Sequence, residues 1–223
     1  MHKKKENQMK SLVLNKKEIV TSIFIIFCLV GYVFFPANGS FQRKTVAALF
    51  LVLLPFLYDK YFLKEINVFK KITIGDWKKN LKLLGGGMLG AFLVIALIFK
   101  YTDIAGHYFL PLGVKGDFGS FLLYELTGVA LTVFVYELFF RGFVMFHFSS
   151  LFKKWAVLVQ FVFFLLLILL LWGLPYWFYV VYLVFAPFAG WIVYKSNSIL
   201  YSFFGQLLVV ILVDAAYIAL IVK

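Results

Sequence analysis

Cysteine occurs once in this chain, at Cys28, which rules out an intrachain disulfide and any zinc site built from clustered thiolates. Histidine is nearly as scarce. His2, His107 and His147 are the only three, and none falls between positions 148 and 223. A catalytic metal site needs several His, Cys or carboxylate ligands around an open position, so few donors exist to build one. Charge is thin too: charged residues make up 14% of the chain against 64% hydrophobic, and the mean hydropathy is +0.96, too little polar surface to cover a soluble core. Acids are rarer still, with 10 Asp and Glu against 22 Lys and Arg and a net charge of +12. In a soluble protein that excess would point to nucleic acid. Here the bases sit in loops between apolar runs, which reads as membrane topology and leaves no nucleic-acid partner expected. The glycines at 85–87 and 90 are followed by no Gly-Lys-Ser or Gly-Lys-Thr, so they form no phosphate loop.

Apolar runs, by contrast, are plentiful. Spans of about 17 to 25 residues fit Ile19 to Phe35, Thr45 to Leu63, Leu83 to Phe99, Gly119 to Phe140, Trp155 to Trp172, Tyr176 to Tyr194 and Ile199 to Val222. The expected fold is all-α, a polytopic bundle of about seven spans, with a basic tail over 1–18 and a single transmembrane domain over 19–223. Pro55, Asp59 and Lys60 make the second span the weakest, and a re-entrant segment is the alternative there. With the N-terminus in the cytoplasm, 17 of the 22 basic side chains fall inside, which orients the chain and puts the C-terminus outside. The segment from Lys64 to Lys82 mixes lysines with apolar residues and suits the surface of an anionic leaflet, or a solvated loop that only fixes orientation. Asp76 is placed to cap the helix beyond it. Gly86 and Gly90 predict a close helix approach.

Polar groups inside the spans are few and must face protein or water. Glu125, Glu137 and the adjoining Arg141 lie on the fourth helix, Gln160 on the fifth, and Gln206 and Asp214 on the seventh. Glu137 and Arg141, four apart, share a helix face and can pair. Glu125 lies about 18 Å from Glu137 along that helix, so the two form no paired-carboxylate site. Asp214 reads either as a carboxylate bonded to neighbouring helices or as a group that moves a proton or ion. Gln206, about 12 Å from Asp214 along the helix, shares a broad face with it. His107 and His147 fall on opposite sides of the membrane and cannot bind one ion.

The stretch Tyr136-Glu137-Leu138-Phe139-Phe140-Arg141-Gly142 at the end of an apolar helix resembles the first motif of the CAAX protease and bacteriocin-processing (CPBP or Abi) family of intramembrane metalloproteases. The order that follows is similar as well: an amphipathic link from His147 to Lys154, a span from Trp155, a span with Ala189-Gly190-Trp191 and Tyr194, a turn Lys195-Ser196-Asn197-Ser198, and a last span. The likeness covers about 122–213. It implies paired glutamates in the first motif, a histidine in the second and a histidine in the third among members that cleave peptides. At those places this chain has Tyr136 before Glu137, Leu169, and Gln206 with Val210. Only Glu137, Arg141 and Gly142 carry over.

The resemblance therefore implies a protease-like scaffold without its metal ligands, a pseudoprotease acting as scaffold, regulator or bacteriocin-immunity-like protein in a bacterial cytoplasmic membrane. Its expected partners are membrane lipids, anionic on the cytoplasmic side, and a membrane protein or peptide. Tyr136, Glu137, Arg141, Gln160, Gln206 and Asp214 are the candidates for a binding cavity between the fourth, fifth and seventh spans, with no metal or other cofactor. Two alternatives stay open. One is an active metallopeptidase that binds zinc in a rearranged site, with Glu137 as base steered by Arg141 and aided by Asp214 and His147. The other is a small proton-coupled transporter using Glu125, Glu137 and Asp214.

Overall fold

Apolar periodicity becomes helix throughout, and no strand occurs among the described residues. The computed structural model describes residues 2–64, 71–108, 110–111, 114, 116–171 and 179–221, those at 2–15, 105, 220 and 221 through their backbone alone. In chain order the helices are α1 (His2–Phe34), α2 (Ser40–Leu63), α3 (Trp77–Tyr101), the short α4 (Ile104–His107), α5 (118–152), α6 (Ala156–Leu170), α7 (Val180–Ser196) and α8 (Ile199–Ile221).

Among the described residues, five apolar helical stretches are long enough to cross a membrane: Lys16–Phe34, Ser40–Leu63, Trp77–Tyr101, Phe118–Leu170 and Ile199–Ala219. The fourth covers 53 residues and holds the fourth expected span and the fifth as far as Leu170. Its chain turns at Lys153, whose φ of 49° and ψ of −122° end α5 before α6 begins. α7 has 17 described residues, about 26 Å of helix. Position 172 at the end of the fifth expected span and 176–178 at the start of the sixth lie outside the described residues, as do 65–70 of the expected interfacial segment. The expected basic tail is helical from His2 and continuous with the first span.

Side-chain exposure follows lipid rather than water. Leu89, Leu93 and Leu97 on α3, and Phe204, Leu208 and Leu212 on α8, are exposed at intervals of four, one apolar stripe per helix. The opposite face of α8 buries Ser202, Gln206 and Asp214. Polar groups inside and aliphatic groups outside are the arrangement a hydrocarbon solvent selects.

Backbone chemistry sets the helix ends. Asp76 accepts from the Lys79 N–H at 3.2 Å and caps α3, as expected from its position before Trp77. Asp117 accepts from the Ser120 N–H at 2.6 Å and starts α5. Asn197 takes left-handed φ (56°) between α7 and α8. That turn is clamped from outside: Lys71 Nζ donates to Asn197 Oδ1 at 2.6 Å, the Ser198 hydroxyl donates to the Thr73 carbonyl, and the Tyr201 hydroxyl donates to the Ile74 carbonyl at 2.6 Å.

Close approach of α3 to α7 depends on glycine. A Cβ at Gly87 would stand 2.7 Å from Ile192 Cδ1, and one at Gly90 would stand 2.6 Å from the Phe188 ring. At Gly86 it would meet nothing within 4 Å, so the small face is Gly87 with Gly90 rather than Gly86 with Gly90. Pro55 in α2 lies between two wide π-helical stretches, Leu49–Leu53 and Tyr58–Leu63, which accommodate its missing N–H without breaking the helix.

Candidate functional site

Polar side chains collect in two layers on the facing surfaces of α5 and α8. One layer surrounds Glu137 and Arg141, both 0% exposed, at the start of a nine-residue π-helical stretch, Glu137–Met145. Arg141 Nη1 lies 3.5 Å from Glu137 Oε1, an ion pair across one turn. The Ser202 hydroxyl of α8 donates to Glu137 Oε2, and its single proton also has the Ile199 carbonyl within reach at 3.0 Å.

α7 supplies the remaining acceptor. The Ala186 carbonyl, one residue before Pro187, accepts from Gln160 Nε2 at 3.0 Å and from Arg141 Nη2 at 3.4 Å. Gln160 reaches it because Gly190 has no side chain: a Cβ there would stand 2.7 Å from Gln160 Nε2. The Phe164 ring of α6 covers the guanidinium at 5.7 Å. Gln206, one turn after Ser202 on α8, is fully buried, and neither of its amide atoms has a hydrogen-bond partner among the described residues.

The second layer holds Glu125 and Asp214. Both are fully buried, and their carboxyl groups lie within hydrogen-bonding reach of each other. The Tyr108 hydroxyl, from the segment after α4, donates to Asp214 Oδ1 at 2.5 Å. Burial first, and the adjacent Asp214 carboxylate second, push this phenol far above its ordinary range, so it remains a donor.

A cavity of about 450 Å³ opens between α1, α2, α5 and the start of α7. Tyr32, Tyr124, Tyr136, Tyr179 and Tyr182 supply aromatic wall, and Arg43 and Lys44 supply positive charge. A second space of about 420 Å³ adjoins it and shares Tyr32, Arg43 and Tyr179. The first cavity is bounded by the first, second, fourth and sixth spans rather than by the fourth, fifth and seventh. Of the six residues expected to line one, Tyr136 does so; Glu137, Arg141, Gln160 and Gln206 belong to the first buried layer and Asp214 to the second.

His147 is ten residues beyond Glu137, about 15 Å along α5. Its Nε2 lies 3.1 Å from Glu18 Oε2 of α1. The three members of the rearranged peptidase site, Glu137, His147 and Asp214, thus belong to three separate neighbourhoods.

Comparison with protein-family models, with characterised proteins and with solved structures finds no match. The site must be read from its own chemistry. A metallopeptidase zinc would need further imidazole or carboxylate donors around Glu137, whereas that carboxylate meets a guanidinium and a hydroxyl. Among the described residues no three His, Cys, Asp or Glu side chains converge. The residues present do not fit the ion.

Residues missed by sequence reasoning are Ser202, Tyr108 and the pairing of Glu125. Depth is the signal that could have found the last. Glu125 lies seven residues from the start of α5 and Asp214 seven from the end of α8, so antiparallel helices bring them to one level.

Proposed function

We propose that this chain is a non-catalytic membrane-integral binding protein, a pseudoprotease on a CPBP-like scaffold that holds a membrane partner or peptide as a scaffold, regulator or immunity-like protein. The observation that carries this reading is the position of Tyr136. In the motif that resembles the family's first, Tyr136 occupies the place of the leading glutamate, and its side chain lines the cavity while Glu137 is turned into a closed ion pair with Arg141. A phenol in a tyrosine-walled space can hydrogen-bond and stack against a ligand, whereas it cannot serve as the basic carboxylate of peptide hydrolysis.

The lining favours an elongated apolar ligand that ends in an anion. Five tyrosines offer broad aromatic area with hydroxyl tips, and Arg43 and Lys44 offer the charge that would meet a carboxylate or phosphate. In the topology favoured by the basic loops this cavity faces the outside of a bacterial cytoplasmic membrane, with the N-terminus inside and the lysine-rich loops against the anionic cytoplasmic leaflet.

Purification from zinc-supplemented cells, followed by metal analysis and incubation of the reconstituted protein with membrane peptides, tests the non-catalytic part. The expected result is zinc well below one per chain and no cleavage by wild type or by Glu137→Gln. One zinc per chain that is lost in Glu137→Gln, or cleavage abolished by that substitution, overturns the reading.

A further inference from the structure

Two carboxyl groups buried against each other at membrane depth repel unless positive charge lies between them. Glu125 and Asp214 are such a pair, and their hydrogen-bond inventory is incomplete. Tyr108 serves Asp214 Oδ1, which leaves Asp214 Oδ2 and both oxygens of Glu125 with no donor among the described residues. Carboxylates only accept, and a hydrogen bond between two carboxyl groups exists only when one of them carries a proton. The unsatisfied oxygens of Glu125, a fully buried side chain directed at Asp214, therefore point to an occupant as a second observation beside the proximity of the acids.

We propose that Glu125 and Asp214 form a buried proton-binding site, in which one proton is held between a carboxylic acid and a carboxylate. The proton enters as H⁺ from solvent and bonds to one oxygen, and the acid O–H so formed donates to the other carboxylate. Two negative charges become one, and the Tyr108 hydroxyl stabilises what remains. The proton belongs to the pair rather than to either residue.

The surroundings favour a proton over a metal ion. A calcium ion takes six to eight oxygen ligands, more than two carboxyl groups and a phenol supply, and the phenol points its hydrogen rather than a lone pair toward Asp214. Among the described residues, hydroxyls stand near the pair: Tyr124 on α5 and Tyr182 on α7, with Tyr217 of α8 packed on the Tyr108 ring. None of these phenols brings a positive charge to the acids. From α3, the Phe99 ring packs against Tyr108 and adds no charge.

Tyr124 and Tyr182 also line the cavity, so the same two phenols face the acids and the space between α1, α2, α5 and α7. They place phenols, and no charged side chain of their own, between the cavity and the pair. The site does not depend on what the cavity holds.

Infrared difference spectroscopy of the full-length protein in lipid, titrated from acid to alkaline pH, reads the proton directly. Wild type is expected to show a protonated-carboxyl C=O band at neutral pH, and both Glu125→Gln and Asp214→Asn are expected to lose it, because an amide N–H then satisfies the surviving carboxylate. Tyr108→Phe is expected to keep the band and shift its frequency. If wild type shows no such band at neutral pH, or if the band survives in the amide variants, the proposal is wrong; should one variant fail to fold, the other decides. A second arm measures thermal stability in sodium, potassium and calcium chlorides at constant ionic strength. Stabilisation by one of these cations that Glu125→Gln abolishes overturns the proton in favour of that metal, and equal stability in all three is expected.

Discussion

Glu125 faces Asp214 across α5 and α8 in the same antiparallel register that brings the Ser202 hydroxyl onto Glu137. Twelve residues separate the two acids on α5, and twelve separate Ser202 from Asp214 on α8, so the contacts are two rungs of one ladder about 18 Å apart. Between the rungs, T-shaped packing of Phe134 on Phe203 at 5.7 Å keeps the helices in step. A shift of either helix by one turn would break both rungs together.

Removing the lower rung tests that coupling. Ser202→Ala deletes the hydroxyl donor to a fully buried carboxylate, at a cost of about 1–3 kcal/mol for the acceptor left behind. Thermal unfolding in detergent should show that loss, with Ser202→Thr retaining most of the wild-type stability. Equal stability of wild type and the alanine variant would show that the hydroxyl holds nothing.

The Glu137–Arg141 pair gives a prediction in which a second substitution offsets the first. Arg141→Met leaves an unpaired buried carboxylate and should cost about 3–5 kcal/mol. Glu137→Gln combined with Arg141→Met removes both charges and should recover most of that loss. A double variant as unstable as the single one would mean that the arginine acts through packing alone, over Phe164.

Much of this architecture is legible in sequence, for identifiable reasons. Runs such as 83–99 and 199–222 announce helices because lipid demands an unbroken apolar stretch, and Asp76 announces an N-terminus because few residues cap as well. Side-chain direction is harder. Gly86 and Gly90 fit a small-residue face by spacing, yet the face that meets α7 runs through Gly87 and Gly90, since the rotation of a helix about its axis is set by its neighbours. The partnership of Glu125 with Asp214 was hidden for a related reason: 89 positions separate them, and only the level of each along its own helix links them. The cavity between α1, α2, α5 and α7 is not legible in sequence, because apolar runs carry no record of which helices stand apart.

Glycine substitutions read out the same point. Gly86→Ala should be neutral or stabilising, since alanine meets open space there and is about 1 kcal/mol better in a helix interior. Gly90→Ala puts a methyl 2.6 Å from the Phe188 ring and should cost about 1–3 kcal/mol. Thermal melts of the two variants side by side decide it, and the reverse order would place the wrong face of α3 against α7.

Acid sensitivity should appear at the start of α5. The Ser120 backbone N–H bonded to Asp117 holds its carboxyl below the ordinary 3.8. A value lowered by folding means that the cap is at full strength above the unfolded value and is lost as pH falls through the folded one. Wild type should lose this stabilisation below about pH 4. Asp117→Asn, an equally good cap, should be insensitive across that range. Identical acid melts would remove Asp117 from the account.

Ligand discrimination by the basic side of the cavity tests the binding reading most directly. Affinities of a long-chain carboxylate amphiphile and of its neutral amide are to be measured on the full-length protein in nanodiscs of zwitterionic lipid, for wild type and for Arg43→Ala combined with Lys44→Ala. The account predicts that wild type binds the carboxylate about tenfold more tightly than the amide, as one charge-assisted contact provides, and that the double variant loses the preference. Equal affinity for the two amphiphiles in wild type, or a preference unchanged in the variant, contradicts it.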